Sequence, residues 1–141
     1  FKNIKNNNIW QVHKKANKLF LNLTLNSIKK LEKNISLRKQ PTSKSYHRQR
    51  NDSDSLINWN KRPHEVFNFV RALSYPYKGA FTYYKSKKIR ITKCKVSNHN
   101  PKIRVGKFFS NEGKNLYVKC KEKSIIILES NPNFKRFIKK R

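Results

Sequence analysis

The sequence is poor in acidic residues, and this deficit is its most informative property. Its 141 residues contain 7 Asp and Glu against 35 Lys and Arg, which gives a formal net charge of +28. A chain with that imbalance repels itself, so we expect it to bind a polyanion that offsets the repulsion. A free-standing enzyme of this size rarely carries such a charge. The composition therefore favours a binding protein.

Methionine is absent, and the first residue is Phe1. We expect from this that a segment ahead of Phe1 has been removed or is missing, either a cleaved targeting segment or a larger amino-terminal domain. A cleaved targeting segment would suit an organelle and predicts a location in the mitochondrion or another organelle. A lost domain predicts a cytoplasmic location instead.

Long hydrophobic runs and clustered cysteines are missing as well. The longest apolar run is Ile125 to Leu128, far short of the roughly 18 residues that span a bilayer, so we expect no membrane partner. Cys94 and Cys120 have no C-x-x-C partner and no neighbouring His at ligand spacing. We therefore expect no metal site and interpret both cysteines as small buried residues.

Hydrophobic residues make up 35% of the chain, which suffices for one modest core. Between Gln11 and Asn34, apolar residues recur every three or four positions with Lys between them, which predicts an amphipathic helix. We favour packing of its apolar stripe on the core over a dedicated RNA-reading helix, and the two interpretations are compatible if the Lys face meets phosphate. A polar segment from Ser36 to Asp54 follows, and we expect it to be extended and to become ordered on binding. Pro63 then opens a second helix that continues to Leu73.

Beyond Gly79 the pattern changes to short strands joined by tight turns. The predicted strands are residues 81–84, 88–96, 105–109, 116–121 and 124–128, and the predicted turns are 86–87, 111–113 and 122–123. In residues 88–96, apolar side chains alternate with charged or polar ones, which places cations on one face of the strand. The prediction is an α+β fold, a small open β-barrel of the oligonucleotide-binding type preceded by two helices and flanked by basic extensions.

The same pattern predicts three segments along the chain. Residues 1–45 form a basic amphipathic helix and a linker, residues 46–130 form the barrel module, and residues 131–141 form a basic tail.

Three stretches of the sequence match a recognisable family pattern. Residues 50–59 read RNDSDSLINW, residues 66–73 read VFNFVRAL, and residues 76–83 read PYKGAFTY. They resemble the carboxy-terminal region of the formyltransferase family, which includes methionyl-tRNA formyltransferase and the sugar-nucleotide N-formyltransferases. Lys78 stands where that family usually has proline, and Val105-Gly106 stands where Pro-Gly is common.

The resemblance implies a structural role for the motif residues. Trp59 and Phe67 would belong to the core, and Arg71 would hold the turn that contains Asp52 or Asp54. Gly79 would permit a close approach of two backbone segments.

The resemblance also implies that the chemistry lies elsewhere. In the family, transfer from 10-formyltetrahydrofolate depends on an Asn, a His and an Asp of an amino-terminal doubly wound domain, whose motifs have no counterpart in these residues. The four histidines, His13, His47, His64 and His99, lie in basic or loop contexts without a paired carboxylate at useful spacing. We therefore expect no catalytic residue, no cofactor and no small-molecule substrate for these 141 residues by themselves.

The leading hypothesis from the sequence is a non-catalytic RNA-binding structural protein. The favoured partner is the rRNA of an organellar, mitochondrial ribosome, together with neighbouring ribosomal proteins, and tRNA is a possible partner, for instance for a free tRNA chaperone. In methionyl-tRNA formyltransferase the carboxy-terminal barrel is the basic part that helps to hold the initiator tRNA. The resemblance thus implies a module compatible with RNA. The alternative hypothesis, from a different class, is a C-terminal fragment of a methionyl-tRNA or sugar-nucleotide N-formyltransferase.

The cations predicted to contact RNA phosphates lie on the first helix, the linker, the strand faces and the tail. They are Lys14, Lys15, Lys18, Lys44, Arg48, Arg50, Lys85, Lys87, Lys88, Arg90, Lys93, Lys95, Lys135, Arg136, Lys139, Lys140 and Arg141.

Overall fold

The structure is a computed structural model that describes residues 7–36, 38–42, 45–111 and 115–133. Two α-helices precede five β-strands, as the sequence predicts. The helices are α1 (Ile9–Glu32) and α2 (Pro63–Ala72), with a short 3₁₀ turn (Asp52–Ser55) between them. The strands are β1 (Ala80–Tyr84), β2 (Lys87–Ser97), β3 (Phe108–Asn111), β4 (Asn115–Lys119) and β5 (Ser124–Asn131).

Helix α1 begins with a reciprocal cap. The side chain of Asn8 accepts a hydrogen bond from the Gln11 amide at 3.0 Å, and the Gln11 side chain accepts one from the Asn8 amide at 2.9 Å. This arrangement satisfies two amides that would otherwise lack partners at the helix start. The predicted helix is thus confirmed, but the predicted packing of its stripe on the core is wrong, because no residue of α1 is buried.

The first turns of α1 contact the barrel module. The Trp10 ring meets the Tyr75 ring edge-on with centroids 5.0 Å apart, and the His13 and Tyr77 centroids are 6.1 Å apart. Arg71 of α2 also donates to the carbonyl of Asn7 at 2.9 Å. These contacts fix the start of the helix beside the turn that follows α2.

The five strands form one antiparallel sheet in the order β1-β2-β5-β4-β3. Helix α2 covers β2 and β5, and it buries Val66 and Val70 in the core, which also includes Leu73 directly after the helix. Pro63 occupies the first turn of α2, where its missing amide costs no hydrogen bond. The sheet side of the core consists of alternating strand residues and of Cys120, which directly follows β4. The strand residues are Ala80, Ile89, Ile91, Cys94, Leu116, Val118, Ile125 and Ile127.

The two edges of the sheet curl toward each other and make an open barrel. Tyr84 on β1 and Phe108 on β3 lie at opposite ends of the strand order, yet their ring centroids are 5.0 Å apart. Trp59 closes the same seam, since its ring lies 6.3 Å from that of Phe108 and its indole N–H donates to the Thr82 hydroxyl at 3.0 Å. The predicted α+β barrel is confirmed. Trp59 and Phe67, which were expected in the core, are partly buried and pack against it.

Two turns differ from their predicted positions. The β1–β2 hairpin turns on Lys85 and Ser86, both with positive φ (46° and 60°), one residue earlier than predicted. Strand β3 begins at Phe108 because residues 104–107 form a turn, in which the Lys107 amide donates to the Arg104 carbonyl at 3.1 Å and Gly106 has φ 80°. The predicted turn at 111–113 lies largely outside the described residues.

The polar connection has no regular secondary structure in its described part up to Asn51, and it is exposed there. Its end is more ordered than predicted, because the carboxylate of Asp54 and the side chain of Asn51 cap the 3₁₀ turn reciprocally. Ordering of the rest on binding stays a prediction.

Both cysteines are buried, as the sequence predicts. Burial raises the pKa of Cys120 to about 12, and burial together with the neighbouring Cys120 raises the pKa of Cys94 to about 12. Neither thiol is therefore ionised at neutral pH.

Candidate nucleic-acid interface

The few carboxylates of the protein are almost all used within the fold. Among the six that lie in the described residues, five form ion pairs with Lys or Arg. The pairs are Arg48–Asp54, Lys61–Glu65, Arg62–Glu122, Asp52 with both Lys88 and Arg90, and Lys93–Glu129. Most described cations thus have no carboxylate to offset them and raise the positive potential of the surface.

Asp52 attaches the 3₁₀ turn to β2. Its carboxylate accepts hydrogen bonds from Arg90 at 2.7 Å and from Lys88, and Arg90 also donates to the Gly79 carbonyl at 3.1 Å. The Lys88 ammonium and the Arg90 guanidinium both lie over the Phe81 ring, 3.9 Å and 5.6 Å from its centroid respectively. The hydrogen bonds from Lys88 and Arg90 lower the pKa of Asp52 to about 2.

The role expected for Arg71 is therefore performed by other residues. Arg71 was predicted to hold the turn of Asp52 or Asp54, but β2 holds Asp52 through Lys88 and Arg90, and Arg48 holds Asp54. The hydrogen bond from Arg48 lowers the pKa of Asp54. Arg71 lies at the end of α2 and donates to the side chain of Asn68 at 2.9 Å as well as to the chain ahead of α1.

The structure divides the predicted RNA contacts into separate groups. Arg48, Lys88 and Arg90 surround the 3₁₀ turn, and Lys93 pairs with Glu129 across β2 and β5 at 3.1 Å. Because carboxylates partly neutralise these four cations, we expect them to attract a phosphate less strongly than cations outside ion pairs do. Their contact with RNA stays a prediction.

The other predicted cations in the described residues lie on α1, ahead of the 3₁₀ turn, and on the β1–β2 hairpin and β2. Lys14 lies over the Trp10 ring and Lys85 over the Tyr84 ring, and both are exposed. The remaining members on α1, ahead of the 3₁₀ turn and on β2 are Lys15, Lys18, Arg50, Lys87 and Lys95. Lys44, Lys135, Arg136, Lys139, Lys140 and Arg141 lie outside the described residues.

A second basic group, which the sequence reasoning missed, lies where two loops meet at one end of the barrel. We call it the basic loop cluster, and its exposed members are Lys102, Arg104, Lys107, Lys121 and Lys123. The Gly106 amide donates to the Lys119 carbonyl at 2.8 Å, and the Lys119 amide donates to the Lys107 carbonyl at 3.1 Å. These backbone bonds join the loop before β3 to the turn after β4.

The side chain of Lys119 connects the same two loops by hydrogen bonds. It is buried, and its ammonium group donates to the Asn100 side chain and to the Glu122 carbonyl, the latter at 3.1 Å. Lys123 adds a bond to the Asn98 side chain at 3.1 Å. The density of Lys and Arg in residues 102–107 and 119–123 was a visible signal, but only the fold shows that the two segments are neighbours.

A groove of about 680 Å³ lies on another side of the module, between the start of α1, helix α2 and strands β2 and β5. Its lining includes Arg71, Tyr75, Tyr77, Lys93 and Lys95. Aromatic faces next to cations suit the bases and phosphates of single-stranded RNA. The tyrosines already contact Trp10 and His13, however, so this groove is a weaker candidate than the basic loop cluster.

Two negative findings apply to the described part of the chain. It contains no group of three or more His, Cys, Asp or Glu residues arranged to hold a metal ion. Within the same residues, no helix has the length and apolarity needed to cross a membrane.

Comparison with known proteins places these residues in a family context. Residues 50–140 match the family described as "Formyl transferase, C-terminal domain". The chain is 38% identical over 86 residues to the bifunctional polymyxin resistance protein ArnA of Wigglesworthia glossinidia brevipalpis, a match that covers 61% of this chain and 13% of that protein.

Two methionyl-tRNA formyltransferases are also similar. The protein from Natranaerobius thermophilus is 30% identical over 120 residues, which covers 81% of this chain and 38% of the relative. The one from Clostridium novyi is 32% identical over 75 residues, which covers 53% of this chain and 24% of the relative. The chain thus spans well under half the length of each of these relatives.

Proposed function

The chain belongs to the formyl transferase family through its C-terminal domain, and from this we propose that it acts as the non-catalytic part of a methionyl-tRNA formyltransferase that holds the tRNA. The basic loop cluster is the surface that binds tRNA phosphates. The observation behind this proposal is the charge of the cluster. Five exposed cations lie there, and the one described carboxylate beside them, Glu122, is paired with Arg62.

The size of the charge favours tRNA over a sugar nucleotide as the acceptor. A nucleotide offers a few phosphates, whereas a tRNA offers a long array of them. A chain of net charge +28 gains affinity for such an array by releasing condensed counterions at each phosphate it contacts. The relatives named as methionyl-tRNA formyltransferases support the same choice.

The test is a salt titration of tRNA binding, measured by fluorescence anisotropy. If the five cluster cations each neutralise a phosphate, affinity should fall by about 10²–10³ between 50 and 200 mM salt. The double variant Lys121→Glu/Lys123→Glu should bind at least about tenfold more weakly at 100 mM salt. Its matched control is Lys29→Glu/Lys30→Glu, which makes the same change in net charge on α1 and should weaken binding less. Equal losses in the two variants would refute a localised site.

A structural role in an organellar ribosome is the second candidate, and the +28 charge is what favours it. The comparisons give this candidate no support, since the matches reported above are a formyl transferase domain and proteins named for polymyxin resistance or methionyl-tRNA formylation. Co-sedimentation with ribosomes distinguishes this candidate from the tRNA-holding module. A ribosomal constituent stays with ribosomes through a high-salt wash, whereas a tRNA-holding module is released.

A further inference from the structure

A pocket of about 420 Å³ adjoins the basic loop cluster. The loop after β2 and strand β3 together form this pocket, and its lining residues are His99, Asn100, Pro101, Phe109 and Ser110. Lys102 of the cluster directly follows the loop segment in the chain. Small-ligand sites in proteins commonly enclose about 300–1,000 Å³, so the pocket is large enough for one flat aromatic ligand. We call it the β3 pocket.

Aromatic rings form one wall of the β3 pocket. Phe109 stacks on Tyr117, its partner across β3 and β4, with ring centroids 5.2 Å apart and an angle of 19° between the ring planes. The His99 ring meets the same tyrosine edge-on with centroids 5.2 Å apart. Tyr117 is buried, whereas Phe109 is half-buried and His99 is exposed. The buried tyrosine therefore holds two accessible rings in place before a ligand arrives.

Hydrogen-bonding groups line the pocket beside these rings. The Oδ1 atom of Asn100 accepts a hydrogen bond from the Lys119 ammonium group, so the amide nitrogen of Asn100 is the atom that can donate to a ligand. The hydroxyl group of Ser110 can both donate and accept. Lys123 donates to the Asn98 side chain at 3.1 Å, which connects the loop that carries Asn100 to the cluster. The β3 pocket thus combines aromatic faces, hydrogen-bond donors and adjacent cations.

We propose that the β3 pocket binds an unpaired RNA base, which stacks on Phe109 and His99 while the basic loop cluster binds the neighbouring phosphates. Stacking of a base on an aromatic side chain tolerates any base sequence. A paired base stays stacked inside its helix and does not enter such a pocket. The inference rests on the proposed function, because it assumes that the cluster binds RNA, and it adds that this surface prefers unpaired nucleotides.

The charge around the pocket favours a nucleotide over other flat ligands. A nucleotide presents both an aromatic face and a negative phosphate, and the exposed cations Lys102 and Lys107 lie on the loop that joins the two lining segments. An aromatic side chain of another protein would bring no charge to offset these cations. The groove lined by Tyr75 and Tyr77 is the competing place for a base, and it is therefore included in the experiment.

The experiment compares pentauridylate with an abasic RNA strand that has the same number of phosphates. Because only the first strand has bases, the difference in affinity measures base binding separately from phosphate binding. The 141-residue protein should bind pentauridylate at least about fivefold more tightly in fluorescence anisotropy. A 2-aminopurine in place of the central base should lose fluorescence on binding, because stacking quenches it. Equal affinity of the protein for the two strands overturns the proposal.

Substitutions then locate the bound base. Phe109→Leu should remove most of the preference for pentauridylate, whereas Phe109→Tyr should keep it because an aromatic face remains. His99→Ala should reduce the preference at least about twofold, and this exposed position decides the question if Phe109→Leu unfolds the protein. Tyr77→Leu is the matched control in the competing groove and should show the preference of the parent chain. A preference that survives both pocket substitutions, or that Tyr77→Leu removes, overturns the proposal.

Two further measurements separate this inference from the proposed function. Lys107→Glu/Lys121→Glu, in the cluster, should weaken binding of both strands by a similar factor. If it does, and the parent chain shows no preference for bases, the β3 pocket is refuted and the proposed function stands. If it weakens neither strand, the cluster does not bind phosphates and the proposed function fails. For a fully paired RNA duplex, Phe109→Leu should change the affinity by less than about twofold, and a larger loss would contradict selection of unpaired bases.

Discussion

Arg90 on β2 and Asp52 in the 3₁₀ turn form an ion pair in which Nη2 and Oδ1 are 2.7 Å apart, although 38 residues separate them in sequence. Lys88 contacts the same carboxylate from the same strand. The pair attaches the end of the polar connection to the barrel and positions the segment that leads into Ile57 and Trp59. Its contribution to stability depends on the ionisation of one carboxyl group, and this makes the attachment testable by pH.

We expect Asp52→Asn to destabilise the protein at neutral pH and to have little effect in acid. The pKa of Asp52 is about 2 in the folded chain against an ordinary value of 3.8. Because the folded-state pKa is the lower one, the stabilisation is complete above pH 4–5 and is lost as the pH falls toward 2. Urea unfolding from pH 2 to 7 measures the difference between the two proteins. A difference that is constant over this range would contradict the ion pair, and Glu32→Gln on α1 serves as the control.

Gly106→Ala should destabilise the fold by about 1–3 kcal/mol. Gly106 has φ 80°, and a Cβ there would lie 3.4 Å from Cδ1 of Trp59. The substitution therefore strains the backbone, because a side chain disfavours this positive φ, whereas the added methyl group only makes ordinary contact with the Trp59 ring. Denaturant unfolding followed by tryptophan fluorescence measures the loss, with the exposed neighbour Lys107→Ala as control. Equal stabilities of the two variants would show that the turn tolerates a side chain.

Lys119→Met should loosen the basic loop cluster. The substitution keeps the buried stem and removes the ammonium group that bonds Asn100 and the Glu122 carbonyl. We expect a loss of about 1–3 kcal/mol in the free energy of unfolding and faster amide exchange in residues 98–107. The exposed residue Lys95 provides the comparison, since Lys95→Met should change stability by less than about 0.5 kcal/mol. Unchanged exchange in the loops would show that Lys119 does not join them.

The two thiols should resist modification in the folded protein. Burial raises the pKa values of Cys94 and Cys120 to about 12, so both remain protonated and inaccessible at pH 8. Labelling with a disulfide reagent should be slow for the native chain and complete within minutes in 6 M urea. Rapid native labelling of one thiol, traced by Cys94→Ser and Cys120→Ser variants, would show that its surroundings open.

Local patterns in the sequence were enough to predict most of the architecture. Proline at the start of α2, the apolar repeat of both helices and the alternation in β2 each arise from interactions between near neighbours, and the structure confirms those elements. The hairpin turn at Lys85 and Ser86 was displaced by one residue because neither position carries the Gly or Asn that usually marks positive φ.

The long-range relationships were harder to predict. Nothing local indicates that Asp52 pairs with β2 and not with Arg71, or that residues 102–107 lie beside residues 119–123. Amphipathicity likewise predicts that a helix has an apolar side, but it does not say what covers that side. For α1 the sequence reasoning assumed the chain's own core, whose volume is already filled by α2 and the sheet.

The segment ahead of α2 also protects one margin of the sheet. Leu56 forms a parallel bridge with Phe81, and the Ile57 amide donates to the Phe81 carbonyl at 2.8 Å. The Phe81 carbonyl on the edge strand β1 therefore forms its hydrogen bond within the chain and is not available to a strand of another molecule. Fibril-like association of this protein, if it is forced by heat or acid, should start from β3, and substitutions that detach residues 56–57 should open a second point of entry.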